Sequence, residues 1–201
     1  GSFTDTGKVA VKVSAVRHLE NLNRKISDVS EKVETVDVID DISWNNYVDA
    51  NKASDGKTYV YSYKAGTDSV GKNCSTDSFY PIENPYLKVF RGNRFVISDF
   101  VIDKSTILEN GSYSAGLFSR IGQAGLGQTS IIIDGVTLQN FDVKGNGCTY
   151  AGALVGLIDS GCTDAQISGV LVMKGTDSSD KSSVTGAKNC GGIIVYSNVN
   201  G

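Results

Sequence analysis

A chain of 201 residues with a single histidine, His18, cannot build a His-based catalytic dyad, a triad or a multi-His metal site. Ser-His-Asp hydrolysis and HExxH metalloprotease chemistry are therefore excluded within these residues. No apolar run reaches the roughly 18 residues that a membrane-spanning helix requires. A basic stripe is also missing: 19 basic and 22 acidic residues are interspersed, with a net charge of −3, so nucleic acid is not an expected partner. The four cysteines, Cys74, Cys148, Cys162 and Cys190, form no CxxC pair, which leaves structural zinc without support. The chain is long enough to bury a core without disulfide staples. Free buried thiols are the expectation, and Cys148–Cys190 is the pairing to consider if one bridge forms. No charged-then-apolar leader opens the chain, but Gly1-Ser2 has the look of a cleaved-tag remnant, so that absence says little about compartment.

What is abundant is glycine: 23 residues against two prolines, amid many Ser, Thr, Asn, Asp and Val. That composition predicts many turns joining short strands. Only the N-terminal stretch breaks the pattern. In "VSAVRHLENLNRKISDV", Val13, Val16, Leu19, Leu22 and Ile26 recur at helical spacing, which predicts one amphipathic helix over about 14–27 with Ser14 capping its first turn. "VETVDVIDDISW" then alternates, with Val36 and Val38 on one face, and "KTYVYSYKA" is a second predicted strand.

From residue 86 a repeat takes over. "YSAGLFSRI", "YAGALVGLI" and "NCGGIIVYS" align when Leu117, Leu154 and Ile193 are superposed, at offsets of 37 and 39 residues. Between them lie "ISDFVI" at 97–102, "IDGVTL" at 133–138 and "ISGVLV" at 167–172, offset by 36 and 34. Two elements alternating at nearly one period predict stacked parallel β-structure, since a unit this short cannot bury both faces of its own strands. The small residues predict corners where the backbone bends sharply and the next unit approaches closely: Gly116, Gly152, Ala153, Gly191 and Gly192. The array breaks off at "GGIIVYSNVNG", where a further strand is expected.

This alternation resembles the GLUG-type repeats of bacterial cell-surface and secreted proteins, whose units pair a "GGLVG"-like segment with an "IxNxxV"-like strand. The resemblance covers about residues 86–201. "YLKVFRGNRFVISDFVI" is similar to the segment that introduces such repeats, with Arg91 where an Asp is usual and Arg94 and Phe95 in place of a small or polar pair. "VSAVRHLENLNRKI" is similar to the helical lead-in of gut-bacterial surface proteins carrying these repeats. The resemblance implies a right-handed parallel β-helix or solenoid within a larger exported protein, and no particular chemical activity. The expected organisation is an N-terminal cap at 1–85 and GLUG-like repeats at 86–201, both within one structural domain. An amphipathic helix suits the cap, because exposed strand edges invite aggregation unless covered.

Several motifs fall short of chemistry. "GTDSVGKN" at 66–73 is a near miss to a phosphate-binding loop, with Asn73 where a hydroxyl is required, and reads as a plain loop. Asp37, Asp40 and Asp41 lack the glycine and terminal glutamate of an EF-hand and read as solvated turn carboxylates. β-Helices also serve polysaccharide-cleaving enzymes, which draws attention to Arg91, Arg94, Asp99 and Asp103. On one strand, however, Asp99 and Asp103 would stand about 13 Å apart, wider than either glycosidase geometry. The sequons "NCS" at 73–75 and "NGS" at 110–112 carry no weight in a bacterial protein. The ligand-binding expectation rests on aromatics: Tyr59, Tyr61 and Tyr63 share one strand face, with Trp44 and Tyr47 shortly before. Such a ladder stacks on sugar rings if exposed, or packs as core if not.

The resulting expectation is a mainly β chain, a right-handed parallel β-helix with an N-terminal capping helix. Its role would be a non-catalytic interaction module or stalk, extracellular or at the cell surface, with host or bacterial glycans or surface proteins as partners. Neither a cofactor nor a metal site is expected. The competing expectation is a carbohydrate-active β-helix or an accessory part of a secreted peptidase.

Overall fold

The computed structural model describes residues 9–22, 33–44, 62–63, 72–73, 81–103, 114–122, 127–175 and 182–197. The chain is mainly β with parallel sheets. It opens with β1 (Val9–Val13), α1 (Val16–Asn21), β2 (Val33–Val38), β3 (Ile42–Ser43), and the short β4 (Ser62–Tyr63) and β5 (Lys72–Asn73), which pair antiparallel. Three five-strand units follow. The first holds β6 (Val89–Arg91), β7 (Val96–Ser98), β8 (Val101–Asp103), β9 (Ser114–Ala115) and β10 (Phe118–Ile121). The second holds β11 (Ser130–Asp134), β12 (Thr137–Gln139), β13 (Asp142–Lys144), β14 (Tyr150–Gly152) and β15 (Val155–Ile158). The third holds β16 (Asp164–Ser168), β17 (Leu171–Met173), β18 (Ser183–Thr185), β19 (Asn189–Gly191) and β20 (Ile194–Ser197).

Each strand of a unit lies parallel to the corresponding strand of the next, giving five parallel sheets: β1-β2-β6-β11-β16, β3-β7-β12-β17, β8-β13-β18, β9-β14-β19 and β10-β15-β20. Residues N-terminal to 86 enter three of them, since Val36 stands opposite Phe90, Ile42 opposite Ile97, and Ile82 forms a parallel bridge to Phe118.

The alternating strands point one row of side chains inward, and these rows meet in a single core. Phe90, Ile133 and Val36 share one row and are fully buried. An aromatic contact runs through three successive layers: Trp44 tilts against Phe100 at 5.7 Å, and Phe100 stacks on Phe141 at 5.4 Å and 16°. Phe90 meets Phe118 edge-on at 5.1 Å from another wall. Burial of this apolar surface is the main favourable term for strands too short to be stable alone.

Backbone corners recur with the units. Gly135 and Gly169 have φ of 65° and 62°, and Asp99 and Asn140 have 64° and 44°. Gly147 and Gly186 have 73° and 80°. Asn and Asp tolerate the left-handed region because their short polar side chains bond locally. Here Asp99 accepts from Ser43 Oγ (2.5 Å), Ser98 Oγ (2.8 Å) and Asn140 Nδ2 (2.7 Å), so one carboxylate ties three layers together. The expected straight strand from Asp99 to Asp103 is therefore corrected. Asp99 is the corner residue between β7 and β8, and the 13 Å separation between the two acids has no basis.

The repeat phase also needs correction. Alignment places Ile97 against Ile133, whereas Ile97 pairs with Leu138, and Ile133 pairs with Phe90. "ISDFVI" corresponds to "LQNFDV" in the next unit, which is why Phe100 stacks on Phe141. The confusion has a physical source. The second unit contains two strand–corner–strand pieces, with Gly135 and Asn140 each third, so 97–102, which turns at Asp99, looks like 133–138 while corresponding to 138–143.

The helix is shorter than the pattern predicts among the described residues. Its first hydrogen bonds run from the His18 and Leu19 amides to the Ala15 carbonyl, and the Ser14 amide donates to His18 Nδ1 at 3.2 Å. Val16, Leu19 and Leu22 are buried in the common core, and Ile26 lies outside the described residues. Asn84 Nδ2 donates to the Leu22 carbonyl at 3.1 Å, tying the end of this segment to the approach of the first unit.

At the other end, inward positions become exposed. Leu138 and Leu154 are fully buried, while their partners Val172 and Ile193 are 40% and 36% exposed. Among the described residues β16 to β20 each pair on one side only.

Candidate functional site

The aromatic residues named from the sequence do not form a visible site. Trp44 is 5% exposed and packed on Phe100, so it offers no face to a ligand. Tyr59 and Tyr61 lie outside the described residues, and Tyr63 enters only as backbone of β4.

The corner residues do come together. Gly152 pairs with Gly191, and Ala151 pairs with both Ala115 and Cys190. The ungapped alignment is one residue out here: the first unit turns through Gly116-Leu117, the second through Gly152-Ala153-Leu154. A Cβ on Gly116 would stand 2.7 Å from the Gly152 carbonyl oxygen, and one on Gly152 would fall on the Val155 carbonyl oxygen. Ala153 is fully buried, whereas a Cβ on Gly192 would meet nothing within 4 Å. Small residues here let successive backbones approach; they are structural.

The charged residues singled out from the sequence are spent on the frame. Asp37 pairs with Arg91 at 3.2 Å, Asp41 Oδ1 accepts the Val96 amide at 2.8 Å, and Asp40 Oδ1 accepts the Asp41 amide at 2.9 Å. Arg94 is exposed at a left-handed corner where its amide donates to the Gly135 carbonyl. Among the described residues no three His, Cys, Asp or Glu side chains converge to hold a metal ion, and no helix is long and apolar enough to cross a membrane. Cys148 and Cys162 are buried and not disulfide-bonded; Cys190 is likewise unbridged but exposed, against the expectation that it is buried. Burial pushes the Cys162 thiol above its ordinary value, which keeps it protonated and inert at neutral pH. Arg120 hydrogen-bonds Asp159 through Nε (2.9 Å) and NH2, and this outweighs partial burial to hold the carboxyl below its ordinary value of 3.8. Both residues lie in register-neighbouring strands or just past them, so the pair clips two units together.

What remains is an outward surface. On the sheet containing β2, β6, β11 and β16, the outward row Thr35, Val89, Ile132 and Gln166 runs across four strands. Beside it lies a row of alternating charge: Lys12, Asp37, Arg91 and Asp134, ending at Ser168, whose hydroxyl donates to Asp134 at 2.7 Å. Ile132 is 40% exposed at the centre of this face.

At the N-terminal ends of these strands is a pocket of about 210 Å3 lined by Glu34, Tyr86, Lys88, Gln128, Thr129 and Ser130 among others. Tyr86 is 41% exposed. Lys88 Nζ and Glu34 Oε1 are 2.9 Å apart on its rim. Gln128 is buried and fully engaged: its Oε1 accepts the Gly122 amide (2.7 Å), and its Nε2 donates to the carbonyls of Leu87 (2.7 Å) and Asn84 (3.3 Å). Those carbonyls belong to the turn that carries Tyr86, whose amide donates to Asn84 Oδ1 at 2.9 Å. Sequence reasoning missed Tyr86. Its only signal is a lone aromatic after Pro85, and nothing local says that the residue is exposed.

The chain matches no family model, no curated protein and no solved structure.

Proposed function

We propose that this chain is a non-catalytic interaction module of a larger bacterial protein, extracellular or at the cell surface, built as a right-handed parallel β-helix with α1 as its N-terminal cap. The parallel pairing of five-strand units is the observation that carries this reading. It makes each outer sheet face a continuous surface that lengthens with every unit added, without altering the core. The burial of Val16, Leu19 and Leu22 against the first strands supports the cap. The GLUG-like order of "YSAGLFSRI", "YAGALVGLI" and "NCGGIIVYS" supports an exported surface protein. The partners proposed are glycans or surface proteins of a host or of neighbouring bacteria, met by the outer face around Ile132.

The test is binding of the intact chain to immobilised mucin, plant and bacterial polysaccharides and to surface-protein extracts of defined composition. Saturable binding is expected, reduced at least about tenfold in Ile132→Asp, because a charge set into the centre of a contact face is desolvated without a partner. Secondary structure is expected to be unchanged, since the side chain points outward. Binding that Ile132→Asp leaves intact contradicts this placement of the contact surface. Silence across the panel reduces the module to a stalk.

A further inference from the structure

The pocket at Tyr86 combines four features. First, it presents an exposed aromatic ring on a turn that is fixed from beneath. Gln128 holds the turn's carbonyls from inside the core, and Asn84 holds the Tyr86 amide, so the backbone that carries the ring is set before any ligand arrives. Such preorganisation removes part of the ordering cost of binding. Second, a donor and an acceptor stand side by side: Lys88 Nζ and Glu34 Oε1, 2.9 Å apart. The Glu34 side chain is only 18% exposed and that of Lys88 52%, so the acceptor is recessed and the donor stands forward. Third, Thr129 and Ser130 are exposed and also line the pocket. Fourth, the cavity, about 210 Å3, falls below the roughly 300–1,000 Å3 of drug-sized ligand pockets and so suits a single small ring.

Each feature answers to one part of a sugar. The C–H face of a pyranose is apolar and stacks on an aromatic ring, while its hydroxyls lie around the edge. Two adjacent hydroxyls can then donate a hydrogen bond to the carboxylate and accept one from the ammonium. The two rim charges cancel, so the pocket has no net attraction for an acidic ligand. A carboxylated sugar that took the Lys88 ammonium would leave Glu34, mostly buried, facing a like charge.

We propose that this pocket is a subsite for one uncharged pyranose ring of a glycan; the assignment rests on the interaction-module reading and gives it a ligand class.

The probes are lactose, maltose and cellobiose as neutral disaccharides, and 3′-sialyllactose and digalacturonate as acidic ones, titrated into the intact chain with saturation-transfer NMR as readout. At least one neutral disaccharide is expected to bind saturably and in preference to both acidic probes. Tyr86→Ala is expected to weaken it about tenfold, whereas Tyr86→Phe, which keeps the ring, stays within about threefold. Lys88→Met is expected to weaken it as well. Tyr86 is surface-exposed, so circular dichroism of Tyr86→Ala should match the parent. The proposal is overturned if no neutral disaccharide saturates, if the acidic probes bind more tightly, or if Tyr86→Ala binds as the parent does. Should polysaccharide or protein binding persist in Tyr86→Ala yet disappear in Ile132→Asp, the pocket assignment fails and the module stands. Silence of the parent chain in both experiments removes the two together.

Discussion

Phe100→Ala is expected to lower the unfolding free energy by about 3–5 kcal/mol, the range for emptying a fully buried aromatic site. Phe100 has no exposed surface and is sandwiched between Trp44 at 5.7 Å and Phe141 at 5.4 Å. These neighbours come from three successive layers, so removing the ring opens a void at two interlayer contacts at once. A stacked protein holds together chiefly through such nearest-neighbour contacts. The surrounding strands cannot collapse into the gap without breaking register, since β7 and β8 are hydrogen-bonded to their neighbours on either side of the corner. Urea titration reads the effect directly. The melting midpoint should fall by roughly 10 °C in a chain of this length. Ile132→Ala, on the outward face, should cost less than about 1 kcal/mol in the same assay. Equal effects at the two positions would contradict the inward and outward assignment of these rows.

Gly152→Ala is the second large effect, at roughly 3 kcal/mol, the upper part of the range for forcing one methyl into a packed site. The added Cβ would land on the Val155 carbonyl oxygen and 2.9 Å from that of Ile193. Both are backbone atoms, and the Ile193 carbonyl accepts the Leu154 and Val155 amides at 3.1 Å, so neither can yield cheaply. Gly192→Ala is a control at the next unit's corner, beside Gly191, the register partner of Gly152, because nothing stands within 4 Å of its added Cβ. It should change stability by less than about 0.5 kcal/mol. The same substitution at glycines of two successive corners thus separates close approach of the chain from glycine content as such. If both variants unfold at the same denaturant concentration, the corner at Gly152 is not packed as described.

The parts of this architecture visible in the sequence are those set by short-range rules. Val36 and Val38 alternate inward, Leu117, Leu154 and Ile193 superpose in space as they do in alignment, and the small residues mark a tight corner. What failed depends on information from other layers. The phase of "ISDFVI" cannot be set locally, because Asp99 and Gly135 both place a left-handed residue between two short strands. The first unit also carries Asn93 and Arg94 at positive φ where the second has Gly135 alone, and that insertion shifts the true register away from an ungapped match. Trp44 looked like a ligand platform because sequence shows aromaticity and not what lies across from it; here that is Phe100, 56 residues later. Tyr86 is not legible in the sequence for the converse reason. Its exposure depends on Gln128, which reaches back across the sheet to hold the turn.

The stacking of one unit on the next is the central claim, and a disulfide cross-link tests it most directly. In-register parallel neighbours stand about 4.8 Å apart, inside the roughly 4.4–6.8 Å that a disulfide spans between Cα atoms. Val89 and Ile132 are such neighbours and both point outward. The ungapped repeat alignment would instead set Ile132 against Val96. With the four native cysteines replaced by alanine, Val89→Cys/Ile132→Cys is expected to oxidise to an intramolecular bridge with the fold retained. Val96→Cys/Ile132→Cys is expected to remain reduced under the same conditions. Ready bridging of the second pair and not the first would contradict the register, and with it the stack on which every surface described above depends.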